Sequence, residues 1–547
     1  MATRNTGSGT NATRTTAEKL ETLQHGYSFS GPSIALGAAL LDGELHKEAQ
    51  ISLPLGMMNR HGLVAGATGT GKTITLHMIA EQLSTAGVPV FMADIKGDLS
   101  GLATAGIAGQ KLLARTQSLA QDWSGKAYPV EFLSLGGDGN GVPVRATITS
   151  FGPILLSRVL GLNETQESSL QLIFHYADSQ DLELYDLKDL RAVISFLTSD
   201  EGKDALDELG GLSKATAGVI LRELIGLDAQ GMSKFFGTPE FDTAELLRTA
   251  PDGRGVVTCL ELPSVQDKPL LFSTFLMWLL ADLFRDLPEV GDLDKPKLVF
   301  FLDEAHLLFN GASKAFLNAI TQTVRLIRSK GVGIFFVTQT PKDVPSDVLG
   351  QLANRVQHAL RAFTPDDAKA LKATVSTFPV SDYDLEEVLT SAGIGEAVVT
   401  VMNENGAPTP VAWTRLRAPE SVMGPSADEL IKATIAASPL LARYGTEQDP
   451  LSAFEKLRGR DAAPATGPSA APPPARAPEP LPMPVPPPLR QPVPQPQGPD
   501  MRDELMGALG GALGGGLRSM VRSMGSSLGR DLVRDMFGTA PRRRRRR

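Results

Sequence analysis

A single cysteine, Cys259, stands in 547 residues. That excludes a disulfide framework and any Cys-rich zinc module, and it suits a reducing, cytoplasmic setting. Long hydrophobic runs are missing as well. The longest, Leu270–Ala281 (LLFSTFLMWLLA), falls short of the ~18–20 residues that a membrane span needs and reads as a buried helix. The first residues, MATRNTGSGTNATRTTAEKL, carry no apolar core of a secretory signal and read as a polar, disordered arm. No internal repeat recurs along the chain.

What is present is ordinary in sum and uneven in detail. Hydrophobic residues make up 42% and charged residues 21%, values of a soluble globular protein long enough for two to four units of roughly 100–200 residues. The net charge is −8, yet the stretch from Met501 onward holds 11 Lys+Arg against 4 Asp+Glu, a local +7 that leaves −15 on the first 500 residues. Sixteen of the 39 prolines lie between Asp461 and Asp500. An acidic body, a Pro-rich strap and a basic end follow from that distribution.

The expected organisation is a disordered arm over 1–30, a short β segment over 31–58 and an α/β core over 59–420. A C-terminal helix over 421–460, a Pro-rich linker over 461–500 and a basic tail over 501–547 complete it. Ser33–Leu41 and Ala49–Leu55 read as strands, followed by a strand at His61–Ala65, a helix at Lys72–Leu83 and a strand at Val88–Asp94. Continuous apolar strands alternating with helices predict a parallel-type sheet covered on both faces. From about 147 to 249 helical patterns dominate, and Asn163 with Gln166 forms a capping signal, so a helical insertion is predicted there. Strands return at Gly255–Leu262, Lys297–Leu302, Gly333–Thr338 and Gly395–Met402, with Asn405-Gly406 as a hairpin turn and a last helix at Ala427–Ala442.

Gly66-Ala67-Thr68-Gly69-Thr70-Gly71-Lys72-Thr73 fits the phosphate-loop pattern G-x-x-x-x-G-K-[ST] at every specified position. Glycines let successive N–H groups face a phosphate, and the following helix adds positive charge at its N-terminus. Lys72 is then expected on the β and γ phosphates of ATP and Thr73 on Mg²⁺. The apolar run Leu298–Leu302 delivers Asp303 and Glu304 to a strand end. There Asp303 is expected to hold the Mg²⁺, and Glu304 to polarise the attacking water. His306 completes a DEAH string with packing and chemistry equally open. Gln339, after a third apolar strand, suits sensing of the γ-phosphate or orienting of water, or it is an exposed residue of the turn before Pro341. For Asp94, with Lys96 and Asp98 close by, a structural and a functional role are balanced.

Leu317, Ile320, Val324 and Ile327 mark an apolar helical stripe, and Arg325 and Arg328 share another face. An ordinary solvated basic face explains the two arginines. The alternative is a guanidinium that reaches a neighbour's γ-phosphate. Arg355 is a weaker candidate for that task.

Together GATGTGKT, VFMADIKGDLSG, KLVFFLDEAHLLF and RLIRSKGVGIFFVTQTPKDVP resemble the HerA/FtsK superfamily of RecA-like motor ATPases, and within it the bacterial YjgR-type proteins, over roughly Ser33 to Pro419. The resemblance implies a hexameric ring hydrolysing ATP between subunits. It maps the acid after the second core strand onto Asp94, the catalytic acid onto Glu304, the post-strand glutamine onto Gln339 and the trans-acting arginine onto Arg328 or Arg325. HerA proteins resemble one another in a β-barrel before the motor, whereas 65 residues precede Gly66 here and fit a reduced version at most.

Two functions are therefore expected to compete. One is a ring motor that moves or remodels DNA. The other is an ATP-driven switch or scaffold on protein or membrane partners. It would act through the tail, where Leu505–Leu517 is Gly-rich and Arg518–Phe537 reads either as an amphipathic surface helix on anionic lipid or as a frayed end.

Overall fold

A strand covered on both faces must be apolar at every position, and the central strands meet that demand. Val90 and Met92 face one hydrophobic cluster and Phe91 and Ala93 the other; Val299 and Phe301 divide from Phe300 and Leu302 in the same way. The computed structural model describes residues 14–208, 211–265, 268–309 and 314–458. In chain order the strands are β1 Ser33–Leu41, β2 Glu44–Pro54, β3 Gly62–Ala65, β4 Val90–Asp94, β5 Val130–Leu135, β6 Val142–Val144, β7 Val257–Glu261, β8 Leu298–Leu302, β9 Val332–Thr338, β10 Asn354–His358, β11 Glu396–Thr400 and β12 Ala412–Leu416. They form one sheet in the order β2-β1-β12-β11-β10-β3-β9-β8-β4-β7-β5-β6. Every pair from β10 across to β6 is parallel. The other edge, from β10 to β2, is antiparallel. This is the α/β, largely parallel arrangement that the apolar strands imply.

Five helices, Ile148–Val159, Glu164–Ser179, Leu187–Leu197, Lys203–Glu208 and Lys214–Ala229, lie between β6 and β7. The Asn163–Gln166 capping box is formed reciprocally. The helix Pro269–Asp286 buries Leu271, Phe275, Trp278 and Phe284 in the larger cluster, the fate its apolar run requires. Among the described residues no helix is long and apolar enough to cross a membrane.

Four expectations need correction. Part of the arm over 1–30 is ordered: Thr16–Gly26 is a helix, capped by Thr15 and Glu18, with Leu23 and Tyr27 4% exposed and the Tyr27 hydroxyl donating to Pro410 O at 2.8 Å. The capping box supplies the missing N-terminal partners, and the two buried side chains supply the driving force.

The β segment over 31–58 is an edge of the main sheet. β1 and β2 turn through Asp42 and Gly43, both at positive φ, and β1 pairs with β12. Third, β5, β6, β10 and β12 went unread because they are short or carry polar residues, as in Asn354-Arg355-Val356-Gln357-His358. Fourth, residues 421–460 hold three helices, Asp428–Ala437, Pro439–Tyr444 and Ala453–Leu457. Pro439 has no N–H to continue the first, so Ser438 becomes extended and caps the second. The Pro-rich linker and the basic tail lie outside the described residues.

Candidate active site

The phosphate loop leaves β3, the acids leave β8, and β9 lies between them, so all three open at the carboxyl edge of the sheet. With strands about 4.8 Å apart, the loop and the acids stand roughly 10 Å from each other. Gly69 and Gly71 take φ of +79° and +110°, values that a side chain would oppose, and Gly71 leads directly into the helix Lys72–Thr85. The loop is braced from behind. Gly66 N donates to Thr338 O, Ala67 N donates to Ala359 O and Gly395 N donates to Thr70 O. A Cβ on Gly66 would meet His358 Cβ at 2.4 Å, so the close approach of β10 requires glycine there. The Lys72 ammonium donates to Gly66 O at 2.7 Å and Ala67 O at 3.2 Å. Burial holds its pKa below the usual lysine value, against the attraction of Glu304 and Asp303.

Asp303 is 4% exposed; one oxygen accepts from Glu304 N, while Oδ2 is buried with no hydrogen-bond partner among the described residues. Burial raises its pKa to about 6. A carboxylate oxygen left in that position fits a hard divalent cation or its bound water. Glu304 is 7% exposed and takes φ +46°, a left-handed conformation costing about 1–2 kcal/mol outside glycine. Its Oε1 accepts from Lys96 Nζ at 2.5 Å. Its Oε2 is buried, 3.3 Å from His306 Nδ1 in a contact that lacks hydrogen-bond geometry. His306 therefore packs beside the acid. Gln339 is exposed at the end of β9, level with the loop.

Asp94 has a structural task in the turn that follows β4. Fully buried, it accepts backbone N–H bonds from Lys96, Gly97 and Leu99 at 3.2, 2.7 and 2.8 Å. Its carboxylate therefore shapes the turn that carries Lys96. Glu261, which sequence reasoning missed, pairs with Asp94 in register across β4 and β7. It is 7% exposed, and its Oε1 has no hydrogen-bond partner among the described residues. Burial, then Asp94 and Asp98, push its pKa up to about 8. Burial and Asp98 raise Asp94 too, but three amide donors favour its charge, so Glu261 is the member that keeps the proton.

The unfolded chain ionises Glu261 from about pH 4.5, and the folded chain only near pH 8. Unfolding in that window releases a proton, so stability falls as pH rises through it. Thermal unfolding scans at pH 5 and pH 8 should show a loss of order 1–3 kcal/mol from this group, and Glu261→Gln should make the pH slope shallower. An unchanged slope in that variant contradicts the assignment.

Arg325 and Arg328 lie elsewhere. Both precede β9 and are exposed at the amino edge of the sheet, with Arg328 in the turn Arg328–Lys330. Seven residues of strand, about 23 Å, separate that edge from Gln339. They line a cleft of about 700 Å³ with Arg60, His61, Asp292 and Gln351. Burial and then Arg60 depress the Arg328 pKa. Arg355 is committed within the chain, donating to Thr377 Oγ1 at 2.5 Å and lying over the Phe378 ring.

Comparison with known proteins gives the chain a family. Residues 40–546 match the family model described as "Helicase HerA-like C-terminal". The DNA double-strand break repair helicase HerA of Saccharolobus solfataricus is 22% identical over 396 residues, 72% of this chain and 70% of its own length. Among solved structures, the plasmid coupling protein TrwB in complex with a non-hydrolysable ATP analogue aligns at 14% identity and TM-score 0.49, over 74% of this chain and 95% of its own. VirB4 of Thermoanaerobacter pseudethanolicus aligns at 14% identity and TM-score 0.44, over 74% and 99%. With a family match that spans most of its length, a complete phosphate loop and an acidic strand end opposite it, this chain belongs to the HerA-like helicase C-terminal family of phosphate-loop NTPases.

Proposed function

We propose that the chain hydrolyses ATP at the boundary between identical subunits of a ring, a hexamer by family resemblance, and uses that cycle to move or remodel duplex DNA. The observation that carries this reading is the division of the site. Phosphate loop, Asp303 and Glu304 occupy the carboxyl edge, while Arg325 and Arg328 stand at the opposite edge of the same sheet. A guanidinium about 23 Å away cannot serve its own chain's nucleotide, but one subunit's amino edge can face the next subunit's carboxyl edge in a head-to-tail ring.

The loop amides and Lys72 would bind the phosphates, and Thr73 and Asp303 would hold Mg²⁺. The ion, when bound, neutralises charge on the transferred phosphoryl group. Glu304 would accept the proton of the attacking water, and Gln339 would orient that water. Arg328, with Arg325 beside it, would meet the charge that develops on the neighbour's γ-phosphate.

The DNA part of the proposal draws on the family and on the HerA relative. An overall charge of −15 before Met501 restricts DNA contact to a local lining such as a ring pore. Turnover by the full chain should rise several-fold on adding duplex DNA, and the rise should persist in a chain ending at Arg458. Rates that ignore DNA in both forms contradict the motor.

A further inference from the structure

We propose that Lys96 is a positioning residue for Glu304: it holds the general base out of use until the γ-phosphate of a bound nucleoside triphosphate draws its ammonium away. The inference rests on the reading of Glu304 as the base.

Glu304 offers one oxygen to the outside. Oε2 is sealed beside His306, and Oε1 is held by Lys96 at 2.5 Å. A carboxylate oxygen occupied at that distance by an ammonium is not free to accept a hydrogen bond from water, and the water it must activate has no other approach. Something has to move, and the structure distinguishes the two partners. Glu304 is 7% exposed, fixed at positive φ, and its backbone is tied into the turn by Leu307 N donating to Glu304 O. Lys96 has a backbone fixed by Asp94, but its side chain is 48% exposed on a flexible four-carbon stem. A rotamer change of the lysine is the easier motion.

The ligand that would cause it is set by charge. Lys96 and Lys72 are near enough to perturb each other, and both lie beside Asp303 and Glu304. A terminal phosphate seated on Lys72 therefore enters the field of the Lys96 ammonium and competes with Glu304 for it. A nucleoside diphosphate lacks that group and leaves the pair intact. The device would couple release of the base to the presence of the phosphoryl group that is to be cleaved.

Glu304→Gln breaks the charge pair and leaves Lys96 available to the γ-phosphate. In the full chain with Mg²⁺, equilibrium titration of that variant should show affinity for the non-hydrolysable analogue AMP-PNP tightened about fivefold or more, with ADP affinity unchanged. Lys96→Met combined with Glu304→Gln should abolish the tightening, and Lys96→Arg should preserve it. Unchanged ADP binding verifies that each variant is folded. Tightening that survives in the double variant, equal shifts for both nucleotides, or no tightening at all would overturn the proposal. Undiminished ATP turnover by Glu304→Gln is a separate failure, that of the general-base reading itself.

Discussion

Glu304→Gln should lower the ATP turnover number by about 10²–10⁴-fold while the chain stays folded and binds nucleotide. The substitution keeps the volume of the side chain and removes its ability to accept a proton. The loss should fall on kcat, with nucleotide binding retained, because Glu304 neither lies in the phosphate loop nor shapes it: that loop is braced by Thr338, Ala359 and Gly395. The site loses little stability, since the position already carries a left-handed backbone and a buried charge. Single-turnover hydrolysis beside equilibrium nucleotide binding checks both halves. A variant that turns over at the wild-type rate places the base elsewhere. Lys72→Ala gives the contrasting result, loss of binding together with turnover, because that ammonium belongs to the phosphate cradle.

Arg328→Ala should cost about 10³-fold or more in turnover, the range of arginines that neutralise charge on a transferring phosphoryl group from a neighbouring chain. Nucleotide affinity should change far less, because the groups that bind the phosphates lie at the other edge of the same chain. Folding should be nearly unaffected: Arg328 is exposed and sits in a turn after the apolar stripe of the preceding helix has ended. Arg325→Ala, one turn earlier on the same exposed face, should have a smaller effect. Steady-state rates at saturating ATP, with sedimentation to verify assembly, separate these outcomes. Equal loss in a strictly monomeric protein would remove the neighbour from the account.

Much of the site was legible because its chemistry is local in the chain. The phosphate loop is eight consecutive residues, and Asp303 and Glu304 follow directly on an apolar strand, so period and position suffice. Long-range pairing was not legible. Nothing in the sequence near Asp94 announces that its carboxylate is consumed by three amides of the next turn. Nor does it show that Glu261, 167 positions later, lies beside it in the sheet. Lys96 was noticed as a neighbour of Asp94, but its contact with Glu304 depends on β4 and β8 being adjacent. The same holds for the fold. Central strands declare themselves by unbroken apolar runs, whereas β10 and β12 alternate polar residues and gain their place from the strands beside them. The amino-edge location of Arg325 and Arg328 was implicit in their place before β9, but its meaning emerged only with the parallel sheet.

The central claim is that each active site is completed by a second copy of the chain. It is tested most directly by mixing Glu304→Gln with Arg328→Ala, two variants expected to be inactive alone. In co-assembled rings some boundaries join the intact Glu304 of one variant to the intact Arg328 of the other. At equal proportions about a quarter of the sites should be complete, and turnover should recover accordingly. Mixed rings that form yet stay inactive would contradict the account, as would an Arg328→Ala protein that needs no partner to hydrolyse ATP.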